Sequence, residues 1–370
     1  MKKIKQVACL ISSAVLAFTA CGCSGSSASK INYEGTYNRD LEGTVLNVFN
    51  WGEYISDGSE GSLDINKEFE KLTGITVNYT TYESNEAMYA KLKSGGVSYD
   101  IIIPSDYMIE RLKNENMLEK VDPEQSLSNY KYIDSRYHNL YFDPENQFSV
   151  PYSVGLVGLI YNTSVVKQKP DSWNIMWDKN YSKQILTFNN PRDAFAIAQF
   201  VTGSSLNTTK KSDWDKAAEK LKEQKPILQS YVMDEVFQKM EDGEAAIAPY
   251  YAGDFLLMKN NNPNLDFVYP KEGTNIFVDS VCIPKGCQNY KAALLYMNFL
   301  LEPGIALATA ECIKYSTPHT SVMDNPEYSL KGNEYLYPSE ANYPKVEYFH
   351  DIDPETRSYY EKLWEQVKLS

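Results

Sequence analysis

Aromatic rings and carboxylates recur side by side in this chain, each time directly behind or within an apolar run. Trp51, Glu53 and Tyr54 close or follow the run that begins at Leu46, and Ser105 and Tyr107 follow Ile101-Ile102-Ile103. Asn190, Arg192 and Asp193 come after Ile185-Leu186-Thr187, and Tyr250, Tyr251 and Asp254 come after Ile247-Ala248. Phe277 and Asp279 lie inside the run Asn275 to Ile283. These residue types suit an organic cation, because ring faces attract ammonium groups and carboxylates pair with them. A hydrocarbon chain between two amines also needs apolar walls, which the same rings supply. With 29 tyrosines in 370 residues, no single tyrosine is informative. The repetition of ring plus acid is the signal.

Something must bring these groups together. Leu46 to Trp51 reads as a strand buried on both faces. Ile65, Phe69 and Leu72 then share a helical face stopped by Gly74. Ile75 to Tyr79 is a second strand, Ser84 caps a helix carrying Met88 and Leu92 that Gly95-Gly96 ends, and Asp100 to Ile103 is a third strand broken by Pro104. The alternation predicts an α/β half with a parallel sheet and helices on both sides. A second half repeats the pattern: strands at Gly155–Tyr161, Gln184–Thr187, Ala245–Ala248 and Asn275–Ile283, and helices at Ser212–Lys222 and Asn289–Leu301. A last helix is capped by Asp353 with Pro354 at its first position, and Tyr360, Leu363, Trp364 and Val367 form one stripe. Two α/β halves imply a cleft between lobes, and ligands of open α/β sheets sit beyond the carboxyl ends of strands.

The start of the chain has a different job. Met1 to Lys5 is basic and Val7 to Ala20 is apolar, the pattern of an export signal too short to span a membrane with ease. Thr19-Ala20-Cys21 resembles the lipobox of bacterial lipoproteins, with Phe18 where leucine is usual and Cys23 as the alternative acceptor of the lipid. Residues 1–20 are thus expected as the signal and 21–44 as the anchor cysteine and tether, of which Ser24 to Ser29 has nothing to bury. The formal net charge of −13 disfavours nucleic acid and draws cations, and the signal's lysines make the exported part more acidic still. Of six cysteines only Cys282, Cys287 and Cys312 fall in the folded part. No C-x-x-C motif is present, so neither zinc nor redox chemistry is indicated; a bridge from Cys312 to Cys282 or to Cys287 stays open.

Three stretches carry a resemblance: Asn50-Trp51-Gly52-Glu53-Tyr54, the run Thr81 to Lys93, and Asp279-Ser280 with Ile283-Pro284. Tyr315-Ser316-Thr317-Pro318 extends it. In these the chain resembles the spermidine/putrescine-binding proteins of polyamine ABC transporters, from about Leu46 to Val367. The resemblance implies a two-lobed α/β fold of the periplasmic-binding-protein type II class, with hinge crossings between lobes. It implies lobes of residues 45–153 with 279–322, and 154–278 with 323–370. It implies a monomeric receptor, held to the membrane only by its lipid, that needs no cofactor and delivers a polyamine to permease subunits. Carried over by position, Trp51 and Tyr54 frame the ligand beside Glu53, Ser105 and Tyr107 come from the third strand end, and Phe277 and Asp279 from the returning strand. Tyr315 stands near the closing hinge, and Asp193 replaces the family's usual Glu. The chain departs from spermidine-type members at Asn190 for an acid, Tyr251 for a tryptophan and Phe349 for a glutamine. Phe277 and Asp254 look like the putrescine-preferring members, so the site is a mosaic.

Other readings use the same residues. Tyr250 and Tyr251 could ligate ferric ion as a tyrosinate pair, since hard cations favour oxygen ligands. Asp193 and Asp254 could form the carboxylate pair of a secreted glycoside hydrolase. No G-x-S-x-G, H-E-x-x-H, P-loop or dinucleotide glycine motif supports an enzyme. Trp51 alone could be a core anchor. Arg192 reads as a salt-bridge partner for lobe acids, and His138, His319 and His350 as surface or satisfied core.

Overall fold

Two long buried runs set the architecture. Ser149–Asn162 (β4) and Thr274–Cys282 (β9) are strands in which nearly every residue is buried. The computed structural model describes residues 31–370, and the expected export signal, Cys21, Cys23 and the expected tether as far as residue 30 lie outside the described residues. The remaining strands are β1 (Val45–Trp51), β2 (Thr76–Tyr82), β3 (Ile101–Ile102), β5 (Ile185–Phe188), β6 (Leu228–Val232), β7 (Ile247–Tyr251), β8 (Leu265–Val268) and β10 (Val346–Tyr348). They run in the order β2-β1-β3-β9-β4-β7-β5-β6, with β10 on β9 and β8 on β4. The first part of β4 pairs with β9, and its last residues pair with β7 and β8, so one strand runs through both halves of a curled sheet.

The sheet is not wholly parallel, as the alternation of strands and helices had suggested. β1 with β2 and β3, and β5 with β6 and β7, are parallel. β4 and β9 are antiparallel to each other, and β9 is antiparallel to β3 and β4 to β7. The reason is topological: β4 carries the chain into the second half and β9 brings it back, so as neighbours they must run in opposite directions. Helices flank both halves of this α/β, two-lobed fold, and their ends follow local chemistry. Asp64, Ser84 and Asp353 accept hydrogen bonds from Lys67 N, Ala87 N and Thr356 N, and Gly74 and Gly95 end the first two helices in the left-handed conformation. The stripe of the last helix (Pro354–Leu369) is buried, and Tyr360 stacks on the fully buried Trp214 of Lys211–Gln224 at 4.7 Å between ring centroids.

Residues 33–37, expected as part of the tether, are docked rather than loose. Glu302, fully buried, accepts from Glu34 N, Gly35 N and Tyr37 Oη, and the Tyr33 and Tyr37 rings pack on Phe299. Among the described residues Cys282, Cys287 and Cys312 are not paired with one another, so neither bridge left open by the sequence forms. Among the described residues no single helix is long and apolar enough to cross a membrane.

Candidate functional site

The ends of β1, β3, β5, β7 and the middle of β9 converge on one cleft. Trp51 closes β1, where its indole N–H donates to Ile103 O at 2.9 Å. Tyr82 Oη, from β2, donates to the same carbonyl at 2.6 Å, and the two rings lie 4.7 Å apart. This fixes the indole plane. Glu53 then takes a φ of 50°, a left-handed conformation uncommon outside glycine, and the turn returns Tyr54 to the interior. Tyr54 Oη donates to Asp279 Oδ2 at 2.6 Å and shares a short hydrogen bond with Ser153 Oγ. Ser153 stands beyond a register shift in β4 at Pro151, a bulge beside the site that re-aims the strand's side chains.

Ser105 opens the helix Asp106–Asn114, and its Oγ accepts from Asn85 Nδ2 at 3.0 Å. Tyr107, in the same first turn, donates to Glu86 Oε1 at 2.9 Å. Across the cleft, Asn190 caps the helix Pro191–Thr202: its Oδ1 accepts from Arg192 N and Asp193 N, while Nδ2 donates to Asp193 Oδ2 at 2.7 Å. Tyr251 Oη donates to that same carboxylate oxygen at 2.9 Å. Asp254, in the first turn of the helix Ala252–Asn261, accepts from Tyr315 Oη at 3.0 Å. Phe277 pairs opposite Gly155, where any Cβ would overlap its ring, and meets Tyr251 edge-on at 5.4 Å.

Trp51, Glu53, Tyr54, Ser105, Tyr107, Asn190, Asp193, Tyr251, Asp254, Phe277, Asp279 and Tyr315 all line this one cleft, which encloses about 790 Å³ including its open mouth, whereas Arg192 does not line it. Tyr250 and Phe349, both named from the sequence, line it as well; Tyr82, Glu83, Asn85, Met233, Asp234, Phe237 and Asn275 also line it and were not foreseen. Glu83 and Asn85 flank the Ser84 cap and were within reach of the motif that revealed it. Asp234 follows β6, whose mixed burial leaves no periodic trace. The two walls of the cleft are close here, since a Cβ on Gly52 would come within 3.1 Å of Asp234 Oδ2.

The electrostatics are one-sided. Glu53, Glu83, Asp193, Asp234, Asp254 and Asp279 line the cleft, and none of the lining residues is Lys, Arg or His. Burial pushes the carboxyls of Asp279, Asp193 and Asp254 up to about 6, 7 and 8, against the hydrogen bonds from Tyr54, Tyr251 and Tyr315. Asp279 Oδ1 has no hydrogen-bond partner although it is buried. Arg192 is not the ion-pair partner expected of it. At 2% exposure it stacks over Phe349 (4.4 Å) and Tyr107 (5.6 Å) and donates to Asn207 Oδ1 and His350 O, with no carboxylate within 4.0 Å among the described residues. The faces of these rings attract the guanidinium through their quadrupoles. The histidines stand apart from the site: His319 is buried with Nε2 against Leu301 O, His138 stacks on Tyr130, and His350 lies 3.6 Å from Glu110.

Residues 98–340 match the family of bacterial extracellular solute-binding proteins. The spermidine/putrescine-binding periplasmic protein of Salmonella typhimurium is 32% identical over 326 residues, covering 88% of this chain and 91% of that protein. This chain belongs to the spermidine/putrescine-binding family. A solved structure from Listeria monocytogenes, named for a spermidine/putrescine ABC transporter, superposes with a TM-score of 0.82 at 34% identity, covering 88% of this chain and 99% of that one. The putrescine-binding periplasmic protein of Escherichia coli strain K12 is more distant, 26% identical over 88% of this chain and 92% of its own length. As a member of this family the solute-binding protein is a transport component that works outside the cytoplasm. Its cleft, with rings for walls and acids at intervals, is the part of the fold with the chemistry to hold a solute.

Proposed function

We propose that this protein binds spermidine, putrescine or both in the interlobe cleft and delivers the amine to an ABC importer. One observation carries the reading: six carboxylates and no basic residue line a cleft walled by Trp51, Tyr251 and Phe277. In it the methylenes of an extended polyamine lie against those rings. Its ammonium groups meet Asp279 and Asp193 or Asp254, with Glu53, Ser105, Asn190 and the hydroxyls of Tyr54, Tyr107 and Tyr315 completing their hydrogen bonds. Burying an unpaired cation costs several kcal/mol, so each amine takes its own acid or cage of oxygens. Because the ligand touches both lobes it favours the closed state, the hinge motion that reports occupancy to the permease.

The lobes comprise residues 45–153 with 279–322, and 154–278 with 323–370. The receptor is a monomer tethered through a lipid on Cys21, with Cys23 as the alternative. The ferric reading gains no support, because burial raises the hydroxyls of Tyr250 and Tyr251 well above their ordinary range and so opposes tyrosinate formation. Nothing favours the hydrolase. Isothermal titration with putrescine, cadaverine, spermidine, spermine and ferric citrate tests the reading: at least one polyamine saturates a single site. Binding of ferric citrate and of no amine would sink it.

A further inference from the structure

Gly253 is the second residue of the helix Ala252–Asn261, directly before Asp254. Its φ is not in the left-handed region, so backbone conformation does not require a glycine there, in contrast to Gly203, which ends a helix at φ 74° with open space around it. The requirement is spatial. A Cβ on Gly253 would overlap the Tyr315 ring, 2.6 Å from Cε2 and 2.9 Å from Cγ. The ring cannot easily give way, since it is buried with Tyr54 edge-on at 5.2 Å and Phe277 at 6.3 Å. From that seat Tyr315 donates to Asp254, while its neighbour Tyr54 donates to Asp279.

We propose that Gly253 is a positioning residue for ligand binding: its missing side chain is the seat that holds Tyr315 between the Asp254 and Asp279 ends of the cleft. The proposal rests on the polyamine reading and adds to it a residue that touches no ligand. Any side chain at position 253 lifts the Tyr315 ring, removes its hydroxyl from Asp254 and crowds Tyr54. One carboxylate then loses its neutral donor, and the wall that aligns the amine shifts.

The experiment is a double-mutant cycle read by isothermal titration with putrescine and spermidine, with thermal unfolding in parallel. Gly253→Ala weakens binding by about tenfold or more, the loss of one hydrogen bond to a charged group. In a Tyr315→Ala background, where the ring no longer occupies the space, Gly253→Ala has no further effect on affinity. A Gly253→Ala protein that binds like the parent, or one that loses the same factor in both backgrounds, overturns the proposal. Should Gly253→Ala fail to fold, the Gly253→Ala/Tyr315→Ala protein must fold and bind as Tyr315→Ala does; failure there overturns it equally. A parent that takes up neither amine overturns the polyamine reading and this proposal together. A parent that binds while Gly253→Ala is unchanged overturns this proposal alone.

Discussion

Two sets of buried carboxylates in this molecule are treated in opposite ways. In the framework, Glu302 accepts from Glu34 N, Gly35 N, Tyr37 Oη and Asn129 Nδ2, Asp143 from Gln147 N, Phe148 N, Ser149 N and Ser149 Oγ, and Asp100 from Asn47 N, Gln288 N and Asn289 N. Each is wrapped in donors, most of them backbone amides, and ties distant segments together. In the cleft, among the described residues, Asp279 accepts from Tyr54, Asp254 from Tyr315, and Asp193 from Asn190 and Tyr251, with no backbone amide donating to the Asp279 or Asp254 carboxylate. Buried acids short of donors are costly unless something arrives to complete them. The framework acids serve folding, and on the proposed reading the cleft acids wait for a cation.

The comparison breaks most sharply at Asp279. Asp279→Ala removes the acid with the orphaned oxygen, and putrescine affinity falls by about 2–5 kcal/mol, roughly thirtyfold to several-thousandfold. The melting temperature of the empty protein holds or rises, because an under-satisfied charge has gone. Titration calorimetry and thermal unfolding on one preparation measure both. Glu302→Ala gives the mirror result. Four donors lose their acceptor, stability drops by about 3 kcal/mol or more in urea unfolding, and the folded fraction binds putrescine with unchanged affinity. If the two variants exchanged their effects, the division into framework and cleft would be wrong.

Acidity sharpens the contrast next. Burial raises Asp279, Asp193 and Asp254 to about 6, 7 and 8, so the native protein holds these protons more tightly than the unfolded chain does. Their contribution to stability is full below the ordinary carboxylate range near 4 and is lost as pH rises through 6 to 8. Ammonium ligands require the charged form. Putrescine binding therefore tightens by about tenfold or more between pH 5.5 and 8, and protons are released on binding, visible as a buffer-dependent heat. An affinity flat across that window would mean that none of the three acids pairs with the amine.

Much of this was legible locally and some was not. The caps at Ser84 and Asp353 and the stripes Trp214-Ala217-Ala218-Leu221 and Tyr360-Leu363-Trp364-Val367 are consequences of helical period, and the structure has those helices. The helices Asp106–Asn114, Pro191–Thr202 and Ala252–Asn261 escaped, because each begins at the strand's end where polar site residues blur the apolar pattern. The antiparallel course of β4 and β9 is a property of the whole path of the chain, which no window of ten residues contains. Ring and acid behind each strand come together on one cleft, but that Glu83 would face Asp234 depends on how the two halves close. Tyr315 was reached through family resemblance alone, for nothing in its local sequence distinguishes it from the other tyrosines.

Asn190 supports the smallest and most discriminating change. Its amide both caps a helix and donates to Asp193, so it is a framework donor at the edge of the cleft. Asn190→Asp keeps the cap, since the two residues cap helices about equally well. It takes one donor from Asp193 and places a second carboxylate beside it, and in the empty protein two such groups share a proton rather than both ionise. A ligand ammonium at that end would draw both acids onto itself. The expected outcome is a few-fold gain for spermidine relative to putrescine, with near-parental melting, read from the ratio of the two dissociation constants. An unchanged ratio would show that no ammonium of the longer amine reaches Asp193, and would move that acid from the waiting set into the framework.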